Sequence, residues 1–226
     1  MNIIIIPYRK REKHLKYFIE NTVPLLKKYL SFSLIIVEQI DGKPFNRGKL
    51  LNIGYDMFKD IGDNFYTHDV DINPYEDTIK KIYTKDISDN EIMGIFNSKH
   101  QTLGGIIKFK KDVFKKINGF PNNYWGWGVE DKSLQNRAEF YKVKITKNIT
   151  TDDPNRNKYF LRFDDINDRV RVDEHKKWYL EYKHFKTLDD KKKQEIIKRS
   201  GLCSMNYKVM NEMKLEENIY KILVSI

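Results

Sequence analysis

The chain has 226 residues, 40% of them hydrophobic and 13% aromatic, enough to bury a core and too many for a disordered segment. Lysine and arginine number 42 against 32 aspartates and glutamates, a formal charge of +10; this suits anionic partners, but a lysine-rich surface accounts for it equally well, so charge alone assigns no nucleic-acid role. The single cysteine, Cys203, excludes an internal disulfide, and no apolar run approaches the ~20 residues that span a bilayer.

Residues 3–6 are four consecutive isoleucines, a run typical of a central parallel strand and too short for a signal peptide. With the lone cysteine, which fits a reducing compartment, this sets the expectation of a cytoplasmic protein without leader or anchor. Pro7-Tyr8-Arg9-Lys10-Arg11 follows, a basic loop where the carboxyl end of a strand opens onto the ligand edge of an α/β sheet. Arg9 and Arg11 could hold a diphosphate there, or belong to a solvated turn. Apolar residues from Leu15 to Leu30 recur at helical spacing, with Pro24 expected to kink or split the helix. Residues 33–38 form the next strand, giving a parallel βαβ unit.

Phe45-Asn46-Arg47-Gly48-Lys49 opens a second helix with Asn46 as its N-cap, which brings Arg47 to the same edge. Residues 65–68 read as a strand running into Asp69-Val70-Asp71. If that segment stays extended, both carboxylates point to one side, as a divalent cation bridging phosphates requires; Asn73-Pro74 then ends the element. Residues 75–91 read as a surface helix and loop, and 92–96 as a strand. Gly104-Gly105 precedes another strand, as if backbone approached a ligand or formed a bulge. A short helix is expected over 110–117.

The stretch Gly119-Phe120-Pro121-Asn122-Asn123-Tyr124-Trp125-Gly126-Trp127-Gly128-Val129-Glu130-Asp131 is the richest in chemistry. Indole faces suit sugar rings, and Glu130 and Asp131 fall in the first turn of a helix, where the dipole favours negative charge. A carboxylate beside an aromatic platform can act as general base toward a hydroxyl; a buried turn with core tryptophans is the other reading. Residues 151–174, dense in Asp, Arg and Asn, are expected to form an irregular flap. Residues 188–200 read as a solvated helix, with two closing strands over 207–215 and 219–226.

In order, these motifs resemble the catalytic domain of the beta-1,4-galactosyltransferases, nearly along the whole chain. The resemblance implies an α/β GT-A fold: one Rossmann-like mixed sheet flanked by helices, a single catalytic domain over 1–226. Residues 1–74 would form its nucleotide-binding part and 92–226 its donor-sugar and acceptor part. It implies an inverting enzyme that moves a hexose (galactose, N-acetylgalactosamine or glucose) from a UDP-sugar to an acceptor glycan, with manganese (Mn2+) as cofactor. Pro7, Tyr8, Arg9, Arg11, Phe45 and Arg47 would hold the uridine diphosphate, and Asp69, Val70 and Gly105 would line the donor site. Trp127 would close over the donor, Glu130 would contact donor and acceptor, and Asp131 would be the base. Asp71 would bind the metal. His175 and His184 are both candidates for a second ligand, and the family's spacing favours His175. Two departures bear on substrate. Lys132 stands where the family carries a third acid, and Thr102 replaces a donor-gating tyrosine, leaving room for an N-acetyl group. Members of the family are often Golgi proteins with an anchor and disulfides, and by contrast with them this sequence sets the expectation of a viral or bacterial type acting in the cytoplasm. A catalytically inactive sugar- or nucleotide-sugar-binding module is the alternative reading.

Overall fold

The computed structural model describes residues 1–98, 102–163 and 171–226. Eight strands form one mixed sheet in the order β7-β5-β6-β3-β1-β2-β10-β9. These are β1 (Asn2–Tyr8), β2 (Phe32–Gln39), β3 (Asn64–His68), β5 (Glu91–Asn97), β6 (Ile106–Lys110), β7 (Lys144–Thr150), β9 (Lys208–Glu216) and β10 (Ile219–Ser225). β1 pairs in parallel with both β2 and β3, and β10 with β2. β6 runs antiparallel between β3 and β5.

The isoleucine run explains the centre. Successive side chains of a strand point to opposite faces. Ile4 and Ile6 therefore enter a core with Leu34, Ile36 and Tyr66, while Ile3 and Ile5 enter another with Ile35, Val37 and Phe65. All four isoleucines are fully buried, each stabilising the fold by roughly 1.5–3 kcal/mol. Helices α1 (Glu12–Tyr17) and α2 (Val23–Tyr29) cover the first face through Leu15 and Leu26. α3 (Arg47–Phe58) covers the second through Leu50, Leu51 and Ile53. Burial on both faces is why these strands read as continuous apolar runs.

The helix is split near Pro24, as expected: a π-helical turn over Phe18–Thr22 separates α1 from α2, and Pro24 falls in the first turn of α2, where proline is tolerated.

Three expectations change. Asp69-Val70-Asp71 is a turn rather than extended chain, because β3 stops at His68 and the Ile72 amide donates to the Asp69 carbonyl at 3.2 Å. Asn73-Pro74 does not end the element either: Ile72–Pro74 (β4) pairs antiparallel with Phe160–Arg162 (β8), which gives part of the expected irregular flap a regular partner. The helix beginning with α4 (Glu76–Thr78) and its π-helical continuation Ile79–Tyr83 lies at the surface but is not merely solvated: Ile79, Ile82 and Tyr83 pack into the first core, while Asp77, Lys80 and Lys81 stay exposed. The remaining helices are α5 (Lys111–Lys116), α6 (Glu130–Phe140), α7 (His175–Phe185) and α8 (Asp190–Arg199). Among the described residues no helix is long and apolar enough to cross a membrane.

Candidate active site

The turn after β3 and the first turns of α3 and α6 converge on one arginine. Arg47, the first residue of α3, donates from Nε to Asp69 Oδ1 at 2.7 Å and from Nη1 to Asp131 Oδ1 at 2.7 Å; Glu130 Oε1 lies 3.9 Å from Nη1. Asn46 sets this position by capping α3: its side chain accepts from the Lys49 amide at 2.9 Å, and its Nδ2 donates to the Asn122 carbonyl at 2.7 Å. The Gly119–Gly128 stretch is thereby tied to α3. Asn52 adds bonds to the Phe120 carbonyl (2.8 Å) and from the Phe120 amide (2.9 Å), and the Gly126 amide donates to the Phe45 carbonyl at 2.7 Å. From the other side, the buried Arg137 of α6 donates to the carbonyls of Asn118, Gly119 and Ser200 at 2.9, 2.8 and 2.6 Å.

Glu130 and Asp131 begin α6, as the sequence implied. The residue before them, Val129, has φ +82°, a conformation costly for a β-branched side chain, of order 1–3 kcal/mol. The surrounding bonds hold the backbone strained where it delivers the two carboxylates. Gly104 faces them so closely that a Cβ there would fall inside the Asp131 carboxylate. Gly105 has φ +85°, and its carbonyl accepts from the Asp69 amide at 3.0 Å. The glycine pair therefore serves two close approaches.

The electrostatics are those of crowded acids. Burial would lower the Arg47 pKa, but the fields of Asp131, Asp69 and Glu130 raise it, so the guanidinium stays charged. Burial pushes Asp131 up to about 8; Arg47 opposes this, while Glu130 and Asp69 add to it. Burial raises Glu130 in the same way, against the attraction of Arg47. Asp71 is raised by burial and by Asp69, although Arg11 Nη1 stands 3.2 Å from its Oδ2 and Arg162 also lowers it.

The other expected residues fall as follows. Pro7 and Tyr8 end β1, and the Tyr8 hydroxyl accepts from the Arg11 amide at 3.3 Å. Arg9 donates to the Lys43 carbonyl instead of facing the acids. Val70 is buried. Trp127 is 42% exposed, with the Arg171 guanidinium carbon 5.0 Å from its ring centroid. His175 opens α7, beside Gly128 and stacked on Tyr179 at 6.4 Å. Burial, then Arg171 and Lys132, lower its pKa and favour neutral imidazole. The described contacts of His175 are thus with a different set of residues from those of Asp71. Among the described residues no group of three or more His, Cys, Asp or Glu is poised to hold a metal.

A divalent ion nevertheless fits the chemistry of the donors. Burial and mutual repulsion raise Asp71, Glu130 and Asp131, a strain that a cation beside them would relieve, and carboxylate oxygens are the hard donors such ions prefer. Arg47 Nη2 is also buried with no hydrogen-bond partner among the described residues, an open donor that a ligand oxygen would satisfy. Sequence reasoning placed Arg47 on a nucleotide. It did not foresee that one guanidinium would join Asp69 to Asp131, because the residues are 22 and 84 positions away. It also missed Arg137, whose only signal was a basic residue on the inner face of α6.

Residues 1–85 match the family pattern described as the N-terminal region of glycosyl transferase group 7, and residues 92–157 that described as the N-terminal domain of galactosyltransferase. Beta-1,4-galactosyltransferase 4 of Cricetulus griseus is 35% identical over 219 residues, which cover 92% of this chain and 58% of that protein. The Homo sapiens protein of the same name is 37% identical over 169 residues, covering 71% and 47%. The chain spans about half the length of the curated relatives it matches. Its structure is similar to that of a Drosophila beta-1,4-galactosyltransferase 7 mutant solved with manganese, UDP-Gal and xylobiose, with a TM-score of 0.76 and 22% identity over 100% of this chain and 93% of that one. That likeness bears out the expected GT-A fold. These relatives are animal proteins and lend no support to a viral or bacterial source.

Proposed function

Because the chain belongs to the beta-1,4-galactosyltransferase family, we propose that it transfers a hexose from a UDP-sugar to a glycan hydroxyl and inverts the anomeric centre. Asp131 is the base in this reading. It removes the proton of the acceptor hydroxyl as that oxygen bonds to the anomeric carbon, while the bond from that carbon to the diphosphate oxygen breaks on the opposite face. Once ionised, Asp131 with its pKa raised by burial is a stronger proton acceptor than an exposed aspartate, and a divalent ion at Asp71 would favour the ionised form. Arg47 keeps its carboxylate aimed and, through Asp69, ties it to the donor side. Asp71 is the residue that would hold a divalent ion such as manganese, whose chemistry when bound is to neutralise charge on the leaving diphosphate. Val129 and Gly104 fix the approach of Asp131, and Trp127 offers an exposed indole for a sugar face.

The observation that supports this most is the Arg47 bridge, which puts the Asp69-Val70-Asp71 turn and the Glu130-Asp131 turn in one charged site rather than on separate faces. The test is transfer from UDP-galactose, UDP-GalNAc and UDP-glucose to a saccharide panel with manganese present. Transfer by the wild type, lost on Asp131→Asn with the fold intact, is expected. Absence of both transfer and donor hydrolysis across all three donors would overturn the reading. UDP binding without turnover would favour the binding-module alternative.

A further inference from the structure

The transfer chemistry leaves one buried titratable pair unused. His68 ends β3, immediately before the Asp69-Val70-Asp71 turn, and is fully buried. Its ring meets Phe18 edge-on at 5.0 Å and Tyr83 at 6.1 Å. Nδ1 is 2.9 Å from the Asp69 carbonyl oxygen, and Nε2 is 2.9 Å from the Tyr83 hydroxyl. A carbonyl only accepts, so Nδ1 carries a proton and donates it. Burial pushes the imidazole pKa down to about 4, which keeps the ring neutral. Nε2 therefore accepts, and the Tyr83 hydroxyl donates to it. The phenol thus selects the tautomer whose proton reaches the turn.

Two observations set His68 apart from a histidine that merely fills the core. An aromatic hydrocarbon would occupy the space beside Phe18 and Tyr83 without the cost of burying an imidazole; what the imidazole adds is the bond to the turn. The carbonyl it reaches is also the pivot of that turn. It accepts from the Ile72 amide at 3.2 Å as well, and the Asp69 amide donates to the Gly105 carbonyl at 3.0 Å. Asp69 also holds Arg47 through its carboxylate, while its charge and burial raise the pKa of Asp71 two residues on. Repulsion between the two carboxylates works to open the turn, and the bonds at the Asp69 carbonyl oppose it. Tyr83 is itself anchored: its carbonyl accepts from the Tyr66 hydroxyl at 2.9 Å and from Lys108 Nζ at 3.1 Å. It closes the π-helical turn Ile79–Tyr83, a form that recurs at functional sites.

Resting on the reading of Asp71 as the metal residue, we propose that His68 and Tyr83 are positioning residues for the divalent ion. The Tyr83 hydroxyl sets the Nδ1–H tautomer of His68, and that proton braces the Asp69 carbonyl so that the turn holds Asp71 ready for the metal. Neither residue touches substrate. Partners that stand behind a metal ligand in this way typically account for about 10- to 100-fold in metal affinity.

The test titrates manganese into the UDP-loaded chain and reads the free ion by electron paramagnetic resonance. His68→Leu should bind manganese about 10- to 100-fold more weakly than the wild type, and Tyr83→Phe, which removes a single oxygen, about threefold to tenfold. His68→Asn, whose amide can donate from the place of Nδ1, should stay within about threefold. Val224→Ala, in the core on β10 and separated from β3 by β1 and β2, is the control for lost stability and should leave the affinity unchanged. Nitrogen NMR of the histidine ring should show Nδ1–H in the wild type at neutral pH. If His68→Leu does not fold, Tyr83→Phe and the tautomer decide. An Nε2–H ring, affinity unchanged in both His68→Leu and Tyr83→Phe, His68→Asn as weak as His68→Leu, or equal weakening by Val224→Ala would each overturn the proposal alone. A wild type that binds no manganese with UDP present would overturn the metal role of Asp71 and the proposal with it, so the two failures are distinct.

Discussion

Asp131→Asn separates what this residue does for catalysis from what it costs the fold. Asparagine keeps the volume and a carbonyl that can accept from Arg47 Nη1, now 2.7 Å from Asp131 Oδ1. It removes one negative charge from a site where Asp69 and Glu130 already face the same guanidinium. With a folded pKa near 8 against an ordinary 3.8, the folded state holds a proton that the unfolded chain has released. Stability is therefore lost as pH rises between those values, by an amount on the order of a few kcal/mol. The pull of Arg47 is already contained in that raised value, and relaxation of the crowded site around the charged carboxylate reduces the gain. We expect Asp131→Asn to be more stable than the wild type by about 1–2 kcal/mol at pH 8, which is a Tm higher by roughly 2–8 °C for a chain of this size. The gap should shrink toward zero as pH falls to about 4. Transfer should drop by about 100- to 10,000-fold. Calorimetry at a series of pH values and a UDP-release assay read the two effects. A variant less stable than the wild type at pH 8, or one that retains full activity, would refute the reasoning.

Arg47→Met leaves Asp69, Glu130 and Asp131 without their shared cation, and urea unfolding at pH 8 should show a loss of about 3–5 kcal/mol. The loss should be smaller at pH 5, where the raised acids take up protons. Gly104→Ala puts a methyl group into the place of the Asp131 carboxylate; kcat should fall about 10- to 100-fold, while UDP affinity, measured by titration, changes little. Arg137→Met breaks three bonds to the Asn118, Gly119 and Ser200 carbonyls, and a loss of about 2–4 kcal/mol is expected from a denaturation curve, since buried acceptors are left open.

Much of the architecture was legible because burial writes a local pattern. The isoleucines of β1, the helical spacing of α1 and α2, and the Asn46 cap each depend on neighbours within a few positions. The misread segments are those where a distant partner decides. Residues 72–74 became a strand because 160–162 lies beside them, and 79–83 was drawn inward by the core beneath it. The ordered motifs named the family, and with it the residue types of the site.

Taken by itself, the sequence determined the sheet's centre, the helices on both of its faces and the carboxylates that open α6, since period and capping act over a few residues. Only the tertiary structure decided which acids share a cation. A guanidinium chooses its partners by distance in space, and no spacing along the chain encodes that Arg47 lies between Asp69 and Asp131, or that Lys132 turns away from the site toward the tyrosines of α7.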